Sequence, residues 1–174
     1  MKPHQHLAIS AVLGGGVWAV TGEPMALPAT IGVGVLIDID HTPDFYRRWV
    51  LDKPLRLWLA FHAYEWLPLA AAACWLSGWN PLAIGASVGF LGHLLCDQVA
   101  NPVHPLTYFI SYRAKVGFRG DRLVRGDENA TLRWFLALPV VGKHLLSLLL
   151  WMRRVHGITR HPLAEPLQAP PGRA

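Results

Sequence analysis

The sequence predicts an all-α fold: a membrane-embedded helical bundle of four to five helices with a metal site at one end. Three observations predict it. Hydrophobic residues make up 52% of the 174-residue chain and charged residues only 16%, where soluble domains carry about 25% charged residues. The apolar runs are long and lack period-two alternation, so no strand signal survives. The ionisable side chains that interrupt those runs are few and fall at helical spacings. This composition excludes intrinsic disorder, a coiled coil and a disulfide scaffold. Cys74 and Cys96 each lie in an apolar run with no second cysteine nearby and read as packing residues.

The first element is the uncharged run 7–20, preceded by Lys2. It begins like a secretory signal, but Val20-Thr21-Gly22-Glu23-Pro24 is not a small-residue cleavage site, so the segment is expected to stay in the protein. A second uncharged run, 25–37, follows the Gly-Glu-Pro break, and the two should pair as a hairpin. The run 57–76 reads as an Ala-rich third helix, stopped by Ser77-Gly78-Trp79-Asn80-Pro81. Residues 82–99 make its partner. A basic, irregular stretch from 101 to 128 leads to a fifth apolar helix, 132–152, interrupted at Lys143-His144. The reading is one helical domain over 1–160 and a disordered Pro-rich tail over 161–174.

Charge asymmetry orients these elements. Lys2, then Arg47, Arg48, Lys53 and Arg56, then the basic stretch after Asn101 share one side if four helices span, while the turns at Glu23 and Ser77 are nearly uncharged. By the positive-inside rule that side is cytoplasmic. The first two runs are shorter than the roughly 20 residues of a full span, so tilting, extension or partial insertion is expected there. Arg153, Arg154 and Arg160 follow the fifth helix, which is therefore expected to lie along the membrane or re-enter it. Trp58, Trp75, Trp79, Trp134 and Trp151 stand near helix ends, as interfacial anchors do. The net charge of +5 suits a cytoplasmic membrane face, with nucleic acid the less favoured partner.

Against this apolar background, His62 and Glu65 are spaced i,i+3, and His93 and Asp97 i,i+4, so each pair is expected on one helix face. Asp38-Ile39-Asp40-His41 ends the second helix, and His4 and His6 open the first. Antiparallel helices bring all four groups to one end. Imidazoles and carboxylates crowded in low dielectric are costly unless a cation binds them, which predicts a metal site. Mixed nitrogen and oxygen ligands without thiolate suit zinc, manganese or iron, with candidates enough for one or two ions.

Gln5-His6-Leu7-Ala8-Ile9-Ser10, Val35-Leu36-Ile37-Asp38-Ile39-Asp40-His41 and Phe90-Leu91-Gly92-His93-Leu94-Leu95-Cys96-Asp97 resemble the YdjM-type inner-membrane metal-dependent hydrolases. The likeness covers about residues 1 to 115. It implies a helical enzyme, distantly similar to zinc-dependent phospholipases C and single-strand nucleases. His6, Asp38, His62, His93 and Asp97 would then be metal ligands or their neighbours, with Asp40 and His41 also matching. Ile37 stands where the family has Pro, and Asn101-Pro102 replaces Thr-Pro. The family's His-Arg-Gly-x-Thr-His-Ser segment is absent, and Phe61-His62-Ala63-Tyr64-Glu65-Trp66 occupies its place.

The function expected on this basis is hydrolysis of a phosphoester or phospholipid-like substrate by metal-activated water, at the cytoplasmic side of a bacterial-type inner membrane. Glu65 is expected as a further metal ligand or as general base, and Asp40 as a second catalytic carboxylate. Arg113 and Lys115 are candidates to hold a phosphate. The alternatives are a non-catalytic membrane adaptor with a structural metal and, less favoured because the ligands gather at one end, a metal or proton transporter.

Overall fold

The structure is a computed structural model that describes residues 1–163; the expected Pro-rich tail from position 164 onward lies outside the described residues. Helix α1 spans Pro3–Thr21. Pro3 suits its first turn, where no amide partner is needed. Gly22 ends it at φ 73°, returning its N–H to the Trp18 carbonyl at 2.8 Å, a conformation that favours glycine. Helix α2 spans Ala26–Leu36. It runs on through a tighter 3₁₀ turn, Ile37–His41, the short α3, Thr42–Phe45, and a wider π turn, Tyr46–Val50.

Helix α4 covers Leu67–Leu76 and α5 covers Pro81–Ala100, with Asn80 capping α5 by accepting from the Leu82 amide at 2.9 Å. The helices α6, Ile110–Lys115, and α7, Gly120–Leu123, are short. Helices α8, Ala130–Leu136, and α9, Val141–Val155, meet at a bend of 119°. The described residues are thus helical with only isolated β-bridges, as expected.

Helices α1, α2 and α5 pack through small and polar residues. The buried positions are His6, Ser10 and Gly14 on α1, Ala26, Thr30 and Gly34 on α2, and Gly85, Gly89, His93, Leu94 and Asp97 on α5. A Cβ at Gly85 would stand 2.7 Å from the Ala26 carbonyl oxygen, and one at Gly89 would collide with the Thr30 carbonyl. Close backbone approach of this kind is how helices associate where apolar burial offers little. Large apolar side chains point outward instead, Val20 at 88% and Val99 at 87% exposure among them. The remainder is a cap with ordinary cores: Trp49, Val50, Leu132 and Leu149 in one, Leu55, Leu57, Leu59 and Leu123 in the other.

Three expectations are corrected. Residues 57–63 are not helical and 64–66 form only a 3₁₀ turn: Leu55, Leu57 and Leu59 turn inward in alternation while Arg56, Trp58 and Ala60 face out. Leu57 donates to the Phe118 carbonyl and Gly120 to that of Leu55, both at 2.9 Å. The fifth apolar segment breaks before α9, at Leu138-Pro139, where proline prevents continuation, and not at Lys143-His144. Nor are four independent spans found among the described residues. Among the described residues α5 is the one helix long and apolar enough to cross a membrane alone, and α8 with α9 passes only as a bent pair. At 11 and 10 residues, α2 and α4 reach only about 15 Å of a hydrocarbon core about 30 Å thick.

Candidate metal centre

Helix α1 runs opposite to α2 and α5, which brings the start of the first and the ends of the other two together. His6, Asp38, His93 and Asp97 offer ligand atoms that all lie within 4.8 Å of one another, and Asp38, His41 and His62 form a second such group sharing Asp38. His62 enters from the extended segment before Tyr64. The 3₁₀ winding of Ile37–His41 changes the angle between successive side chains, so Asp38 and Asp40 both reach the cluster from within one turn.

The geometry is that of atoms aimed at common points. His62 Nε2 lies 2.8 Å from His93 Nε2. Asp38 Oδ1 is 3.4 Å from the first and 3.5 Å from the second, and Asp97 Oδ2 is 3.7 and 3.6 Å from them. Four ligands around one tetrahedral zinc stand about 3.4 Å apart, so these separations fit a divalent ion. His93 Nδ1 sits 2.8 Å from the Gly34 carbonyl oxygen. A carbonyl only accepts, so Nδ1 carries the hydrogen and Nε2 presents its lone pair to the cluster.

His6 stacks on His93 with centroids 3.9 Å apart. Its Nε2 comes within 3.0 Å of Asp97 Oδ1 and 4.0 Å of Asp38 Oδ2, yet it is buried without an aligned hydrogen bond, again as a ligand atom would be. The Met1 amino group also touches Asp97 Oδ1 at 2.9 Å and the Asn101 side chain.

Asp40 stands behind this set. Its Oδ2 accepts from the Phe61 amide at 2.7 Å and its Oδ1 lies 2.9 Å from His62 Nδ1. Burial opposes its ionisation, but the His41 and His62 rings and the Phe61 amide outweigh it and hold the carboxyl below the usual carboxylate range. Asp38 is likewise held low, against its burial, by His62, His93, His41 and His6. The cluster opens on one side only: the Asp38 and His41 side chains are 30% and 22% exposed, while that of His62 is fully covered.

Glu65 is elsewhere. With residues 64–66 in a 3₁₀ turn it diverges from His62, and its Oε1 accepts from both the amide and hydroxyl of Ser111 at 3.0 Å. His4 leans on Trp134 instead of entering the cluster. Arg113 is fully buried, and its three guanidinium nitrogens have no hydrogen-bond partner. Burial depresses its pKa, and the charges of Asp40, Glu65 and Asp44 work against that. Lys115 is exposed.

Sequence reasoning missed Gly34, whose carbonyl fixes His93, and Tyr108, whose hydroxyl donates to Asp97 Oδ2 at 3.4 Å and accepts from Asn101 Nδ2 at 3.0 Å. Neither carries a local signal, since a backbone acceptor and a loop tyrosine are ordinary residues until the fold places them. Asp44, completely buried and accepting from the Trp58 amide at 3.0 Å, was readable as a third acid after Asp38 and Asp40. No family model matches the chain, and neither the curated proteins nor the solved structures contain a match to it.

Proposed function

We propose that this chain is a membrane-bound, metal-dependent hydrolase of phosphoesters, with its site at the cytoplasmic end of the helical bundle. The observation that carries the metal is the convergence of His62 Nε2, His93 Nε2, Asp38 Oδ1 and Asp97 Oδ2 at 2.8 to 3.7 Å. Imidazole and carboxylate donors suit zinc first, manganese and iron next, and the shared Asp38 makes room for one ion or two. The preference for a phosphoester rests on the sequence resemblance and on the cations of this end. The membrane reading rests on the outward apolar side chains of α1, α2 and α5 and on the length of α5.

His6, Asp38, His62, His93 and Asp97 would hold the metal. When bound, a divalent ion supplies acidification of water and neutralisation of charge on a phosphoryl oxygen. The chain's own groups prepare for this. The Gly34 carbonyl and Asp40 fix the rings of His93 and His62, and the proton that His62 Nε2 shares with His93 Nε2 would leave when a metal binds. His41 stands at the open edge, 3.7 Å from Asp38 Oδ1 and 3.4 Å from Asp40 Oδ1, and is placed to accept a proton there. Water and substrate would approach over Asp38, the exposed side. Glu65, bound to Ser111, has no part in this scheme.

A structural metal in an adaptor is the second reading, favoured by the near-complete burial of His6, His62, His93 and Asp97. Metal analysis of detergent-purified wild type, Asp38→Ala and His93→Ala, with phosphodiester and phosphomonoester turnover assayed in parallel, separates the cases. Stoichiometric metal in wild type, lost in both variants together with turnover, is the expected result. Metal without turnover selects the adaptor, and no metal in any of the three removes the site.

A further inference from the structure

We infer that α9 is a membrane-surface helix whose outer stripe, Val141, Leu148, Trp151 and Val155, seats on an anionic lipid bilayer with the helix axis in the plane of that surface. This inference is independent of the metal chemistry.

The inner face of α9 is already occupied. Gly142, Leu149 and Arg153 are buried, and Leu145 and Met152 pack on the Trp49, Val50 and Leu132 cluster. Arg153 anchors the C-terminal end, donating to the Trp49 carbonyl at 2.6 Å and the Arg160 carbonyl at 3.0 Å, with Asp52 at 3.7 Å. The outward face is only partly polar, where a helix on a water-facing cap should be polar throughout. Positions 141, 148, 151 and 155 recur at steps of seven, three and four, which is one face of an α-helix. Trp151 and Val155 are 61% and 65% exposed. Exposed His144 lies within this stripe, between Trp151 and Val155, and Lys143, Ser147 and Arg154 border it along one edge, all exposed.

This arrangement fits a bilayer surface better than other occupants. Helix α9 contains no acidic residue, so pairing two copies through this face would set Lys143 and Arg154 against their own kind, whereas anionic headgroups complement them. Its 15 residues reach about 22 Å, short of the hydrocarbon core. The 119° bend to α8 and the buried Arg153 also prevent it from extending a span. Trp134 of α8 contacts His4, and Lys2 lies 5.6 Å from its ring, so α8 and α9 sit beside the start of α1. That is the end of the apolar bundle, where headgroups would lie. An apolar stripe bordered by cations, shallowly immersed, is the pattern of an interfacial helix.

The test uses the full chain with Cys74→Ser and Cys96→Ser, carrying a single nitroxide at Leu148→Cys, Val155→Cys or Lys143→Cys. The probes are reconstituted in phosphatidylcholine vesicles with and without phosphatidylglycerol, and collision with oxygen and with a water-soluble nickel chelate is measured. Expected in the anionic vesicles is an oxygen-to-nickel ratio about fivefold or more higher at 148 and 155 than at 143. Equal ratios with high nickel access would place the stripe in water, and loss of both collisions would place protein over it; either overturns the inference. Adding Lys143→Glu and Arg154→Glu should cut the ratio at 148 by about half in anionic vesicles and leave it unchanged in neutral ones. No change in either lipid overturns the anionic seat. These positions are all exposed or half-buried on α9's outer side, so retained helix content by circular dichroism verifies that the cap stays folded.

Discussion

The α1–α2–α5 bundle and the cap that follows it are packed in opposite senses. In the bundle glycine, serine, threonine and alanine line the inside together with Leu94, and most valines and leucines and Trp18 lie outside. In the cap Trp49, Val50, Leu55, Leu57, Leu59, Leu123, Leu132 and Leu149 lie inside, while Lys115, Arg119, Asp121 and Arg122 face out. The difference teaches that two rules of association operate in one chain. The cap gains from removing apolar surface from water. The bundle associates through close backbone contact, the mode that would serve it in the membrane proposed above.

The largest expected effect comes from breaking the bundle's rule. Gly89→Leu places a branched side chain where even a Cβ meets the Thr30 carbonyl, and should cost on the order of 3 kcal/mol or more, enough to lose the folded species. Size-exclusion profiles and thermal unfolding in detergent check this. Val99→Ala, on the outside of the same helix, should change the unfolding midpoint hardly at all. Equal damage from both would mean that the bundle's outer face is buried in the working molecule.

Next comes the cap's rule. Leu132→Ala removes a fully buried side chain between Trp49 and Leu149 and should cost about 2–5 kcal/mol, read as a shifted denaturant midpoint at unchanged slope. Outward leucines of the bundle, such as Leu82 on α5, should tolerate the same truncation in detergent.

A bound metal would join the two regions, since His6, Asp38, His93 and Asp97 come from the bundle's end and His62 from the cap's edge. Ligation stabilises only the folded arrangement, so saturation at about a hundred times the dissociation constant adds about 2.7 kcal/mol. A chelator should lower the unfolding midpoint of wild type and leave that of Asp97→Asn in place. An unchanged wild-type midpoint argues against tight binding.

Much of the bundle was legible, and for a physical reason. Uninterrupted apolar runs with Gly-Glu-Pro and Ser-Gly-Trp-Asn-Pro breaks admit few other readings, and the rare His and Asp positions gained meaning from their scarcity. The cap was less legible because its structure depends on partners distant in sequence. Leu55-Arg56-Leu57-Trp58-Leu59-Ala60 does alternate, a signal obscured by the alanine-rich run behind it, and its extended form exists because Phe118 and Gly120 pair with it. That pairing turns Glu65 away from His62 and toward Ser111. Pro139 marked the break before α9 plainly. The bond from His93 to Gly34 had no residue-level signature at all.

The smallest expected effect probes the seam between the regions. Asp44 is buried at the start of the cap, and that burial pushes its pKa up to about 7 against the pull of the Trp58 amide, with Asp40 adding to the rise. A carboxyl whose folded pKa lies above its unfolded value favours the folded state below the unfolded pKa, near 4, and that contribution is lost as pH rises through about 7. Asp44→Asn removes the titration while keeping an acceptor for the Trp58 amide. Relative to wild type the variant should therefore gain stability as pH rises from about 4 to about 7 and level off above that, with about 1 kcal/mol of the gain falling between pH 6 and pH 8. Thermal unfolding across that interval reads the difference. A gap that stays constant with pH would mean that Asp44 is ionised throughout, held so by the nearby guanidinium of Arg113, and the seam would then be an ion pair and not a buried acid.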